Sequence, residues 1–194
     1  MIDTLRPLFI ETIRAPARAG AMLMETNLPR ATLWSALVLA CILNTLIFFV
    51  STALFPAPSA GMLLPLSSSP VMVLTLLLAT TVLTIIMLFW GGRALGGAAR
   101  FEDVLGMITW LQFMRLAVQV AALVFMFLLP GLAALLVMGA GIYGIWILLN
   151  FMNVAHGFDS LGRSAMLLVV ALIGISIGLT LLLSLIGVTA MGMD

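Results

Sequence analysis

Between residues 71 and 129 the chain reads VMVLTLLLATTVLTIIMLFWG (71–91), GRALGGAARFEDVL (92–105) and GMITWLQFMRLAVQVAALVFMFLL (106–129). Each apolar run is long enough to cross the hydrocarbon core of a bilayer, which takes about 20 helical residues. The stretch between them holds Arg93, Arg100, Glu102 and Asp103. Three further runs of the same kind occur at 33–54, 133–154 and 166–188. The five runs use most of the 194 residues and leave no room for a separate soluble domain. The expected fold class is therefore all-α: a polytopic membrane protein with five transmembrane helices. Its membrane domain would cover 33–194, behind an N-terminal segment at 1–32.

Composition agrees. Only 8% of residues are charged, against about 25% in an ordinary soluble domain. The net charge of +1 gives no reason to expect a nucleic-acid partner. Cys41 and His156 are the only residues of their kinds. They exclude an intrachain disulfide and cannot build a structural zinc site, and no cofactor is expected. No Ser/His/Asp order, HExxH, CxxC or Walker sequence is present. A catalytic role and an enzyme are not expected.

The arginines set an orientation. Arg6, Arg14, Arg18 and Arg30 precede the first run, Arg93 and Arg100 follow the second, and Arg163 follows the fourth. The other connections and the tail carry none, and the chain has no lysine. Cytoplasmic loops collect arginine, so the N-terminus is expected inside and the C-terminus outside. Trp34, Trp90, Trp110 and Trp146 all fall toward the arginine side, as an interfacial aromatic belt would. Residues 1–30 lack an uninterrupted apolar core, so no cleaved signal peptide is expected and the first run would direct insertion. In residues 2–14, Ile2, Leu5, Phe9 and Ile13 recur at helical spacing, which predicts a short interfacial amphipathic helix. Pro7 weakens that helix and Pro16 closes it. Pro130-Gly131 is expected to form a tight turn between the third and fourth runs.

The chemistry inside the membrane is sparse. Arg115 is the most costly residue, at about 2.5 to 3.5 kcal/mol for an arginine at a helix centre. Gln112 and Gln119 share its face. Either Arg115 snorkels from about 7–8 Å below the Trp110 level, or it marks an anion, headgroup or subunit-contact site. Asn44 ends a small-residue face with Thr32, Ala36 and Ala40, suited to close helix packing and an interhelical hydrogen bond. Asn150 and Asn153 share a face of the fourth run, and Arg115 or Gln112 is expected to bond to one of them. Gly174 and Gly178 form a GxxxG, and Ala140 with Gly144 a similar pair, for packing within or between chains. His156 near Asp159 reads as loop chemistry. The prolines lie outside the runs, and five runs cannot split into equal inverted repeats, which argues against a secondary transporter.

Three stretches resemble the Yip family of small polytopic membrane proteins, the Ypt/Rab-interacting type, in its bacterial branch. They are Leu28-Pro29-Arg30, Gly92-Arg93 through Arg100-Phe101-Glu102-Asp103, and Asn150-Phe151 with Ala155-His156-Gly157-Phe158 and Ser160-Leu161-Gly162. The resemblance implies five membrane helices, a cytoplasmic N-terminus and no enzymatic activity. Eukaryotic members bind Rab-type GTPases and one another. This sequence lacks their long N-terminal region and Tyr-Gly-Pro segment, so Rab binding does not carry over. An arginine- and alanine-rich composition without lysine suits the inner membrane of a high-GC bacterium. The expected function is a non-enzymatic scaffold, assembly factor or accessory subunit. Its expected partners are the lipid bilayer and a membrane protein or a second copy. The alternative is a small permease or channel using the intramembrane polar residues.

Overall fold

A computed structural model describes residues 2–56 and 69–185. The proline-rich connection after the first run, the end of the fifth run and the C-terminal tail lie outside the described residues. The chain forms seven helices among these: α1 (Ile2–Arg14), α2 (Pro16–Glu25), α3 (Arg30–Leu54), α4 (Pro70–Ala94), α5 (Phe101–Leu128), α6 (Pro130–His156) and α7 (Leu161–Leu185). The last five are long and apolar enough to cross a membrane. The protein is a polytopic all-α membrane protein.

The long helices start before their apolar runs because polar and proline residues make good first turns. α5 begins with Glu102 and Asp103, whose charge suits the positive end of the helix dipole. The Asp103 carboxylate also reaches back to the Arg100 backbone N–H at 3.3 Å, a capping contact. α6 begins at Pro130, where the missing N–H costs no helix hydrogen bond. Pro130 and Gly131 are thus the first turn of α6, and Leu129 alone joins the helices. The expected tight turn sits one residue earlier. At the other end, Gly157 is left-handed (φ 64°) and ends α6, with Phe158 N–H donating to the Asn153 carbonyl at 3.0 Å. This is the two-bond glycine termination that also shields the last carbonyls.

α1 continues through Pro7. Its stripe of Leu5, Phe9 and Ile13 is exposed, while Leu8 and Thr12 are buried. The apolar stripe therefore turns away from the protein, as an interfacial helix would turn it toward lipid. Thr12 accepts a hydrogen bond from Trp110 Nε1 at 2.9 Å, and the Tyr143 hydroxyl donates to the Ile13 carbonyl. α1 packs on α2, and α2 packs on α6 and α5. Gly20 is buried at that contact, where a Cβ would meet Phe151 at 3.4 Å and Met107 at 3.5 Å, ordinary packing distances.

Within the bundle α5 packs on α3 and α6, α4 packs on α7 and α3, and α6 meets α7. The buried side chains gather at the arginine-bearing end. They fall at 33–45 of α3, 81–88 of α4, 103–109 of α5, 147–156 of α6 and 164–171 of α7. Ala133 alone departs from this. From Leu132 to Trp146 most of α6 is exposed. Exposed apolar side chains there suit a hydrocarbon solvent, where no hydrophobic force draws helices together.

A pair of leucines tests this distribution. Leu37 is 0% exposed and Leu135 61%. Leu37→Ala is expected to cost on the order of 2 kcal/mol more than Leu135→Ala, because only Leu37 loses packed neighbours. Reversible unfolding in mixed micelles measures the difference, and equal costs would refute the distribution.

Candidate functional site

Two polar clusters stand out, one in the middle of the bundle and one at the arginine end. In the middle, Asn44 of α3 donates to the Ala40 carbonyl of its own helix at 2.8 Å and to the Gln112 carbonyl of α5 at 3.1 Å. Gln112 in turn donates to Thr81 Oγ1 of α4 at 3.0 Å. Thr81 passes its own proton to the Leu77 carbonyl at 2.7 Å. The chain of bonds joins three helices. Asn44 lies at the centre of its apolar run, so the bond to Gln112 fixes the depth of α5. Arg115 lies a turn beyond Gln112 and about 7–8 Å along α5 from Trp110, whose indole bonds Thr12 of α1.

Arg115 is exposed and makes no hydrogen bond or ion pair among the described residues. The expected bond from Arg115 or Gln112 to Asn150 or Asn153 is absent. Asn150 donates to the Trp146 carbonyl of its own helix at 2.8 Å. Asn153 closes the α6–α7 connection, with its oxygen 3.4 Å from Ser164 Oγ. With its amide turned over, its nitrogen would donate to the carbonyls of Phe158 and Ser160, both at 3.1 Å. The reason is register: Gln112 is the twelfth residue of α5, whereas Asn150 and Asn153 lie within two turns of the end of α6. Gln119, a turn outward from Arg115, has a buried side-chain oxygen without a partner.

At the arginine end, Arg30 pairs with Glu102 through Nε at 2.9 Å and through Nη2. Its guanidinium lies 5.3 Å from the centre of the Phe101 ring. Phe101 in turn packs on Phe89 edge to face, with ring centres 5.5 Å apart, and on Trp34. Arg93 lies over Phe89 at 5.4 Å. Arg100 reaches Asp103 at 2.8 Å and the Asn27 side chain at 3.0 Å. The exposed Arg30–Glu102 pair orients the starts of α3 and α5 more than it stabilises them, whereas the Asp103 carboxylate is buried beneath Arg100. Asp159 pairs with Arg163 at 3.6 Å and is almost fully exposed, so it does not form an acid–base pair with His156.

His156 is 2% exposed and stacks on Phe158, with ring centres 5.2 Å apart and planes 15° apart. Two glycines make room for it. A Cβ on Gly92 would stand 2.0 Å from its Cε1, and one on Gly97 would stand 2.5 Å from its Nδ1. The His156 carbonyl accepts from Ala98 N–H at 3.0 Å. The ring therefore pins the end of α6 to the end of α4 and to the connection into α5. Sequence reading missed this role. Gly91-Gly92 and Gly96-Gly97 were its signal, since glycine pairs beside a helix end permit close backbone approach.

The Yip1 domain family matches residues 10–185, which take in both clusters and all five long helices. The chain belongs to the Yip1 family. No curated protein and no solved structure matches it. Within this Yip1 domain the small-residue motifs part ways. Gly174 and Gly178 face α4, where a Cβ would meet Met87 Sδ at 2.6 Å and Leu83 Cδ2 at 2.7 Å. Gly139, Gly141 and Gly144 meet nothing within 4 Å. Their G-x-G-x-x-G spacing is not a nucleotide loop, because they lie inside α6 with no strand before them. Cys41 is buried, a small apolar side chain in the core.

The cradle of His156 has a direct test. Gly92→Ala is expected to destabilise the protein by about 1–3 kcal/mol through overpacking. Adding His156→Ala should return a good part of that loss, giving a coupling that two independent sites would lack. Thermal unfolding of the detergent-solubilised single and double variants measures it. Simple additivity would remove the cradle from the account.

Proposed function

We propose that the protein is a non-enzymatic scaffold, assembly factor or accessory subunit of a membrane complex, held in a bacterial inner membrane. In this reading the arginine end faces the cytoplasm with the N-terminus, and the C-terminus lies on the far side. Residues 1–32 are the cytoplasmic and interfacial part of the molecule and the rest its membrane domain. The observation that carries the reading is the uneven core. The helices are welded at the arginine end, and their opposite halves present exposed side chains over several faces. Such surfaces are available to another membrane protein or to a second copy.

The permease or channel reading draws less support. Asn44 and Gln112 direct their amide donors to neighbouring helices. Two grooves among the described residues are open rather than enclosed and are lined mostly by apolar residues.

The test is to extract the tagged protein from its native membrane under mild conditions and measure the particle mass and its proteins. A defined particle with one dominant set of partners is expected. A particle of one or two copies with lipid alone would contradict the reading.

A further inference from the structure

We propose that α3, α5 and α6 form a docking groove for a transmembrane helix of a different protein, and that this helix carries a carboxylate opposite Arg115. The inference rests on the accessory reading above and names the chemistry of the partner. Three observations converge on one face of α5.

First, a lateral groove of about 250 Å³ opens between the three helices, with Phe48 and Ser51 on one wall, Val137 on another, and Gln119 and Ala122 at its floor. Second, Arg115 lies four residues before Gln119, on the same helix face, and so stands at the inward end of the groove. It is the fifteenth of the 28 residues of α5. Third, the polar groups here lack partners. The Gln119 side-chain oxygen is buried and unbonded, and Arg115 meets no acceptor among the described residues. An arginine inside a membrane pairs with an opposite charge or a backbone carbonyl, or lines water.

Charge selects the occupant. The acidic residues of this chain fall at positions 3 to 25, 102, 103, 159 and 194. None of those among the described residues lies within an apolar run, so the described part of a second copy offers no carboxylate to Arg115. A foreign helix with an Asp or Glu midway along its apolar run does, and its apolar flanks would fill the groove beside Ala122, where a small residue lets a backbone come close. Gln119 would accept a hydrogen bond from the same helix once its amide turns outward.

The experiment uses the full-length protein in vesicles of zwitterionic lipid, with a polyleucine transmembrane peptide as probe. The peptide carries one central Glu, or Gln in its place, and energy transfer between labels reads association. The Glu peptide is expected to bind, with the Gln peptide at least about tenfold weaker. Moving the Glu two turns along the peptide should weaken binding similarly. Arg115→Leu should remove the preference for Glu; it deletes a costly charge from an apolar helix, so insertion is not at risk. Arg115→Glu paired with an Arg peptide should restore it. Equal binding of the Glu and Gln peptides, or a preference that survives Arg115→Leu, would overturn the proposal. So would absence of binding with retention of anionic lipid that depends on Arg115, which would make the site one for a lipid phosphate. In the native membrane, a complex that keeps its partners in Arg115→Leu would defeat this proposal and leave the accessory reading standing. Peptide selectivity with no native complex would do the reverse.

Discussion

The ring of His156 occupies the space that a side chain at Gly92 would need, and the arrangement of the arginine end depends on that contact. It brings the last turn of α4 against the last turn of α6. Ala98 then bonds the His156 carbonyl, which places the start of α5 beside both. Phe101 follows, and with it the ring of Phe89, Trp34 and Arg30. A bulky side chain at Gly92 or Gly97 would separate α4 from α6 and loosen that ring. In lipid, where apolar surfaces gain little by meeting each other, close contacts of this kind and hydrogen bonds hold helices together.

The same physics accounts for the open half of the molecule. Away from the arginine end, helix surfaces have no reason to close, because hydrocarbon covers them as well as a neighbour would. The mid-membrane bonds of Asn44, Gln112 and Thr81 tie α3, α4 and α5, and Phe55 meets Phe127 at the outer ends of α3 and α5, with ring centres 4.9 Å apart. α4 and α7 stay close further out, where Gly174 and Gly178 receive Met87 and Leu83. Beyond Ile147, α6 is tied by the Tyr143 hydroxyl to α1 and by the buried Ala133 near its start, and its glycines at 139, 141 and 144 meet nothing within 4 Å. A Yip1 domain of this build offers a rigid base and a surface on which other membrane components can settle.

Much of this was legible in the sequence. The five apolar runs, the arginines between them and the amphipathic N-terminal helix follow from length and period, which composition alone sets. The termination of α6 at Gly157 follows from glycine's tolerance of positive φ. What could not be read was register. Gln112 shares a face with Arg115, but only the bond to Asn44 shows how deep that face lies. The match of Arg115 and Gln112 with Asn150 and Asn153 failed because those asparagines bond nearer the end of α6. His156 was passed over because a lone histidine carries no pattern. Its meaning comes from two glycine pairs more than 50 residues away in the chain.

The central claim is that the packed core lies at the arginine end and that the other half of α6 faces lipid on most sides. Spin labels placed singly along α6, on a Cys41→Ala background in vesicles, report oxygen and therefore hydrocarbon access at each position. The account predicts high access from Ala134 to Trp146 with only shallow dips at Leu136, Ala140 and Gly144, and full protection at Ile147, Phe151, Met152 and Ala155. Dips at Leu136, Ala140 and Gly144 as deep as the protection at Ile147 would contradict it, for they would mean that α6 is packed as tightly along its full length.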